Sequence, residues 1–354
     1  MLMKWEPKVA IVSTSVGKGV PGAWETNVDV PETREPAAYA AWARQGDLIV
    51  AGDVNSDPDL ERYVRDVGGE YLTPKDQEVW SFSDDIGWRS VQRRNVAVMV
   101  AFDRGYDYVA TVDDDNLPTA DWVDRHVRHL TGELPAGVFI VEGENGWVDT
   151  GQFARPQFRQ RGTPYGSMRM LWSTLKPAMS PASLVVSAAQ VLGEPDCDAV
   201  SRIAYNPQVT EITRNVVVGV DQYAAFNSQA TVWQGKWAPL IACLPGVGRY
   251  DDIIASFIAK RIMRAHELTV YVGEPCVTQD RNPHDFTSDL RREIWGMDNT
   301  TYIIRCLDSI DLEPRVNVVD AYAQCIDRLT EWRALPNNTL KFMRAWHETW
   351  ARYR

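Results

Sequence analysis

Short apolar runs alternate with helical spacings along the first 120 residues. Val9-Ala10-Ile11-Val12-Ser13-Thr14 is apolar and bounded by Gly, Pro and Ser, so it reads as a buried strand. A helical stretch from Pro36 to Arg44 follows, and Asp47 to Asp53 reads as a second strand ending in a turn. Asp59 to Val67 has helical spacing, and Glu70-Tyr71-Leu72 is a third short strand. From Ser90 to Arg104, Val91, Val96, Val98, Met99 and Phe102 supply the apolar positions of a helix. That helix leads into the strand Tyr108-Val109-Ala110-Thr111-Val112. Strands alternating with helices predict an α/β fold with a doubly wound, mostly parallel sheet and right-handed crossovers.

Beyond Ala120 the pattern changes. A helix is expected over Ala120 to Leu130, a strand over Val138 to Val141, and a long loop rich in Gly, Pro, Gln and Arg over Gly143 to Gly166. Leu184 to Val191 reads as a helix and Thr210 to Val220 as strand. A loop at Val247 to Tyr250 enters a helix over Asp251 to Ala265, and Thr269 to Val272 is a late strand. Val318, Tyr322, Ile326, Leu329 and Trp332, then Leu340, Met343, Trp346 and Trp350, recur at helical spacing and are split at Pro336, which predicts a C-terminal helical pair.

Composition narrows the function classes. At 354 residues, 45% hydrophobic and 24% charged, the chain has the make-up of a globular protein able to bury a full core. A net charge of −11 argues against a broad nucleic-acid or anionic-membrane surface, although a local basic groove stays open. The 5 cysteines show no paired spacing, so neither a disulfide framework nor a structural zinc site is expected. With no apolar leader and no 18-residue apolar run, the expectation is a soluble cytoplasmic protein with no membrane span.

The most informative chemistry is Asp113-Asp114-Asp115, three carboxylates at the end of an apolar strand. Like charges so placed repel unless a hard divalent cation such as Mg2+ or Mn2+ sits among them; the plain alternative is a solvated acidic turn. Ligands of open α/β sheets bind at the carboxyl ends of strands, which favours the metal. Thr14 ends the first strand. Asp53, beyond the second, suits either a nucleoside contact or an Asx turn. Ser15-Val16-Gly17-Lys18-Gly19 lacks the spacing of a Walker loop. Of Arg89, Arg93 and Arg94, the adjacent pair Arg93 and Arg94 cannot face the same way, and one of them could reach a diphosphate. Asp251 and Asp252, opening a helix, suit capping, a base acting on an acceptor hydroxyl, or both. His284, in the polar loop Gln279 to Asp285, either completes a metal shell or is an ordinary exposed histidine.

Several segments in order resemble the plant reversibly glycosylated polypeptides, the UDP-arabinopyranose mutases. These are Ile86-Gly87-Trp88-Arg89-Ser90, Arg93-Arg94, the triple Asp, Glu194-Pro195-Asp196-Cys197-Asp198-Ala199 and Gly248-Arg249-Tyr250-Asp251-Asp252. Val50-Ala51-Gly52-Asp53 and Arg93-Arg94-Asn95 resemble segments of the STELLO glycosyltransferase-like group. The resemblance spans roughly Val9 to Glu293. It implies a GT-A glycosyltransferase fold, a DXD-type metal motif with Mn2+ or Mg2+, and a nucleotide-sugar donor, UDP-linked. By position it implies Asp113 and Asp115 on the metal, Asp113 and Asp114 at the nucleotide, and Arg94 at the place of the arginine that becomes glycosylated in the mutases. Asp251 and Asp252 match the acceptor-side pair. The mutases carry a histidine at about Thr278 or Gln279; this chain does not, which leaves His284 as a substitute ligand.

Residues 1–119 are thus expected to form the nucleotide-sugar half, 120–300 the acceptor-side half, and 301–354 a helical extension. The reading is a metal-dependent hexosyl- or pentosyltransferase with an unknown acceptor. The alternatives are a nucleotide-sugar mutase and a non-catalytic sugar-nucleotide binder.

Overall fold

The computed structural model describes residues 7–15, 38–143, 145–165, 173–178, 183–279 and 285–353. The strands are β1 (Val9–Thr14), β2 (Asp47–Ala51), β3 (Glu70–Leu72), β4 (Tyr108–Val112), β5 (Asn116–Pro118), β6 (Phe139–Gly143), β7 (Ala154–Arg155), β8 (Ser173–Pro177), β9 (Leu184–Gly193), β10 (Glu211–Ile212), β11 (Val216–Val218), β12 (Ala230–Gln234) and β13 (Thr269–Gln279). The helices are α1 (Ala38–Ala43), α2 (Leu60–Asp66), α3 (Pro74–Gln77), α4 (Ser83–Ile86), α5 (Arg94–Asp103), α6 (Trp122–Leu130), α7 (Ala199–Tyr205), α8 (Asp251–Ala265), α9 (Phe286–Asp308), α10 (Val318–Glu331) and α11 (Asn337–Trp350).

Among the described residues one eleven-stranded sheet runs β3-β2-β1-β4-β12-β9-β13-β11-β6-β8, with β5 paired to β13. β3, β2, β1 and β4 pair in parallel. Both faces are covered, which is why these strands read as unbroken apolar runs. Ile11, Val50, Ala110 and Val112 pack with Trp42 of α1 and Trp122 of α6. Val12, Ile49, Ala51 and Val109 face the opposite layer, which includes α5 and α8. The C-terminal helices extend that second layer: Trp346 donates its indole N–H to Pro239 O at 2.9 Å and meets Phe82 edge-on at 4.8 Å. The α/β class and the helical C-terminal region are as the sequence predicts.

One expectation is overturned. Leu184 to Val191 is not a helix but most of β9, in the middle of the sheet between β12 and β13. Its residues are buried on both faces, so a continuous apolar run carried no period that could separate strand from helix. The 23-residue α9 was not anticipated either, because the inward side of its first half is polar, with Asp289 and Glu293 buried. No helix among the described residues is long and apolar enough to cross a membrane.

Candidate functional site

The pairing directions bring six strand ends to one edge of the sheet. β12 is antiparallel to β4, with Ala230 opposite Val112, and β9 and β13 run parallel to each other and β9 antiparallel to β12. The carboxyl ends of β1, β2, β4, β9 and β13 therefore meet the start of β12. A cavity of about 650 Å3 opens there, lined by Thr14, the triple Asp, Ser228, Gln229 and Gln279 from strand ends. Arg94, at the start of α5, and Asp251 and Asp252, at the start of α8, complete its inner wall. The amino ends of two helices thus point at a site whose strand ends carry acid.

Neighbours in sequence separate sharply here. Arg93 is fully buried away from the cavity: it donates to Gln77 Oε1 at 2.7 Å, to Ser83 O at 2.9 Å and to Ser83 Oγ at 2.7 Å, and stacks 3.9 Å from the Trp88 ring. Burial lowers its pKa to about 10. Arg94 turns into the cavity, donating to Ser228 O at 2.8 Å and Oγ at 2.9 Å and pairing with Asp113 Oδ1. Burial works against its charge, but Asp113, Cys243 and Asp252 together outweigh burial and raise the pKa of the guanidinium.

Asp53 serves the backbone in this fold. It is buried and does not line the cavity; its carboxylate accepts the backbone N–H groups of Arg89 and Ser90, each at 2.9 Å, and of Val54 at 2.6 Å. Asp53 shapes the segment that carries Arg89.

The acid triplet divides similarly. Asp113 pairs with Arg94, and its N–H donates to Gln229 O at 2.9 Å. Burial pushes the Asp114 carboxyl up. Asp115 accepts from the Gln279 amide at 2.9 Å; the Gln279 oxygen accepts from Gln229 at 2.7 Å, and Gln229 also donates to Asn116 Oδ1 at 3.1 Å. An amide therefore stands beside Asp115, at the end of β13. His284 lies outside the described residues, as do Val16 to Gly19.

Asp252 Oδ2 accepts from Ser228 N–H at 2.9 Å and Oγ–H at 3.1 Å. Its Oδ1 is buried, accepts no hydrogen bond among the described residues, and lies 3.6 Å from Arg161. Asp251 accepts from the Gln92 amide at 2.6 Å, and burial, with Asp252 beside it, raises its pKa to about 6. Behind them Arg161 pairs with Asp196, while Arg249 bonds Glu293 at 3.0 Å and Asp289 at 3.3 Å. The segments around Asp196 and Arg249 are thus one buried ionic network.

Sequence reasoning missed Arg161, Ser228, Gln229 and Arg292 on this wall. Arg161 sits in the long loop whose composition hinted at function. Ser228 and Gln229 precede β12, a strand too short and too ordinary in composition to be foreseen. Oxygen donors alone, from Asp113 and Asp115, suit a hard divalent ion. Among the described residues no group of three or more His, Cys, Asp or Glu could hold a metal ion by itself. One or two carboxylates completed by phosphate oxygens and water is the habit of Mg2+ and of Mn2+ in such sites.

No family model matches the chain, and no curated protein matches it in sequence. Among solved structures, glucosyl-3-phosphoglycerate synthase from Mycobacterium tuberculosis in complex with Mn2+ and uridine-diphosphate-glucose is 11% identical, with a TM-score of 0.41, over 82% of this chain and 77% of that one. The same protein in complex with phosphoglyceric acid is 10% identical, with a TM-score of 0.40, over 90% and 80%. S. aureus TarS 1-349 in complex with UDP-GlcNAc is 12% identical, with a TM-score of 0.41, over 98% and 91%.

Proposed function

We propose that this chain is a metal-dependent glycosyltransferase of GT-A type, moving a sugar from a UDP-linked donor to an acceptor hydroxyl. The observation that carries the reading is the single cavity in which Arg94, the acid triplet and the buried Asp251–Asp252 pair converge from distant parts of the sequence. Residues 1–119 supply the donor side and 120–300 the acceptor side. Asp113 and Asp115 are the groups that would hold Mn2+ or Mg2+, which when bound would stabilise charge on the departing diphosphate. Thr14 and Asp114 border the nucleotide, and Arg94 faces phosphate through a guanidinium already fixed by Ser228. Asp252 has one carboxylate oxygen directed away from its Ser228 bonds, and Asp251 is poised near neutrality; one of them takes the acceptor proton.

The test is a panel of nucleotide sugars assayed for metal-dependent UDP or GDP release, with Mn2+ binding in the presence of UDP followed by electron paramagnetic resonance. Asp113→Asn and Asp115→Asn are expected to lower release by about a hundredfold and to weaken Mn2+ binding. Release and Mn2+ binding that are unchanged in both variants would sink the reading.

A further inference from the structure

The cavity holds more positive charge than the donor reading uses. Arg94 is matched by Asp113, Arg161 by Asp196 and Asp252, and Arg249 by Asp196, Asp289 and Glu293. Arg89 and Arg292 also line the cavity, are exposed, and among the described residues have no carboxylate partner. Exposed arginines are common, but the backbone that carries each of these two is held in place.

Arg89 has a φ of 59°, a left-handed conformation that costs a non-glycine residue on the order of 1 kcal/mol or more. The cost is met by buried Asp53, which accepts the N–H of Arg89 and of Ser90. Arg292 lies on α9, where its carbonyl abuts Gly248 so closely that a Cβ there would come within 2.1 Å. Gly248 opens the turn into Asp251 and Asp252, so Arg292 is fixed relative to the candidate bases.

We propose that Arg89 and Arg292 bind an anionic group, phosphate or carboxylate, on the acceptor, so that the acceptor is a small phosphorylated or carboxylated alcohol. This rests on the transferase reading. The guanidinium fork matches both oxyanions in bidentate fashion. The diphosphate of the donor is already provided for by the acid triplet with its metal and by Arg94. A volume of about 650 Å3 is that of a small-molecule site, and the net charge of −11 repels polyanions.

The experiment is calorimetric titration of inorganic phosphate into the full chain saturated with UDP and Mg2+, at low ionic strength. Parent, Arg89→Gln, Arg292→Gln and the double variant are compared, with melting curves to verify folding. Saturable binding is expected in the parent, weaker by about tenfold or more in the double variant, with UDP affinity held within about twofold. Acetate in place of phosphate distinguishes a carboxylate-bearing from a phosphate-bearing acceptor by which anion binds tighter. Phosphate binding that survives in the double variant overturns the proposal. So does phosphate that competes with UDP, which assigns both arginines to the donor, and so does displacement of phosphate by a short oligonucleotide. A parent that binds phosphate but not UDP refutes the donor reading and leaves the anion site standing.

Discussion

Replacing Asp251 by Asn should stabilise the protein while disabling it. Asp251 is 7% exposed, beside Asp252, and its carboxyl is raised from an ordinary value near 3.8 to about 6. Because the folded state holds this proton more tightly than the unfolded chain does, ionisation weakens folding. The penalty is absent below about pH 4, grows between about pH 4 and 6, and is complete above that. At about 1.4 kcal/mol per pH unit it reaches roughly 3 kcal/mol. Asparagine keeps an oxygen for the Gln92 amide but adds an N–H2 group to a buried site, so the net gain should be about 1–2 kcal/mol. Urea unfolding of parent and variant at pH 7.5 and pH 4 measures it. The variant should be the more stable at pH 7.5 and, with the ionisation penalty gone but the buried N–H2 group still there, the less stable by about 1–2 kcal/mol at pH 4. UDP release should fall by about a hundredfold if Asp251 is the base. A variant less stable than the parent at pH 7.5, or equally favoured at both pH values, would refute the argument that an ionised Asp251 is a strained charge. Unchanged release would move the proton-accepting role to Asp252.

The adjacent arginines should fail in different ways. Arg93→Met removes donors to Gln77 and Ser83 in a closed site and should cost about 2–4 kcal/mol in urea unfolding with donor KM held within about twofold, whereas Arg94→Met should lower UDP release by about a hundredfold. Gly248→Ala puts a Cβ against the Arg292 carbonyl at a φ of 64°, and should lower stability by about 1–3 kcal/mol as read by thermal melting.

Legibility differed between elements for physical reasons. The strands β1, β3 and β4 and the helix α8 were visible because a buried parallel strand is a short uninterrupted apolar run, while the apolar stretch of α8, buried on all sides, is too long for a strand. β9 was mistaken for a helix because burial on both faces erases the alternation that marks a strand. α9 escaped notice because the part of it nearest the site buries carboxylates to meet Arg249 instead of apolar side chains. The histidine sought near the end of β13 has an amide, Gln279, in its place, and the only candidate substitute lies outside the described residues.

The sequence by itself determined the α/β class, the acid triplet at a strand end and the pair Asp251–Asp252 at a helix start, because each is a local pattern of charge set against apolar spacing. Only the tertiary structure decided which residues face one another. Arg93 and Arg94 differ by about a hundred degrees around a helix, so one turns to α3 and α4 as a core anchor and the other to the cavity wall. Asp53 became a backbone clamp because its strand ends beneath the Arg89 turn. Arg161, Ser228 and Arg292 joined the site because the antiparallel insertion of β12 and the packing of α9 brought them there. Such meetings depend on long-range pairing, and no stretch of local sequence encodes them.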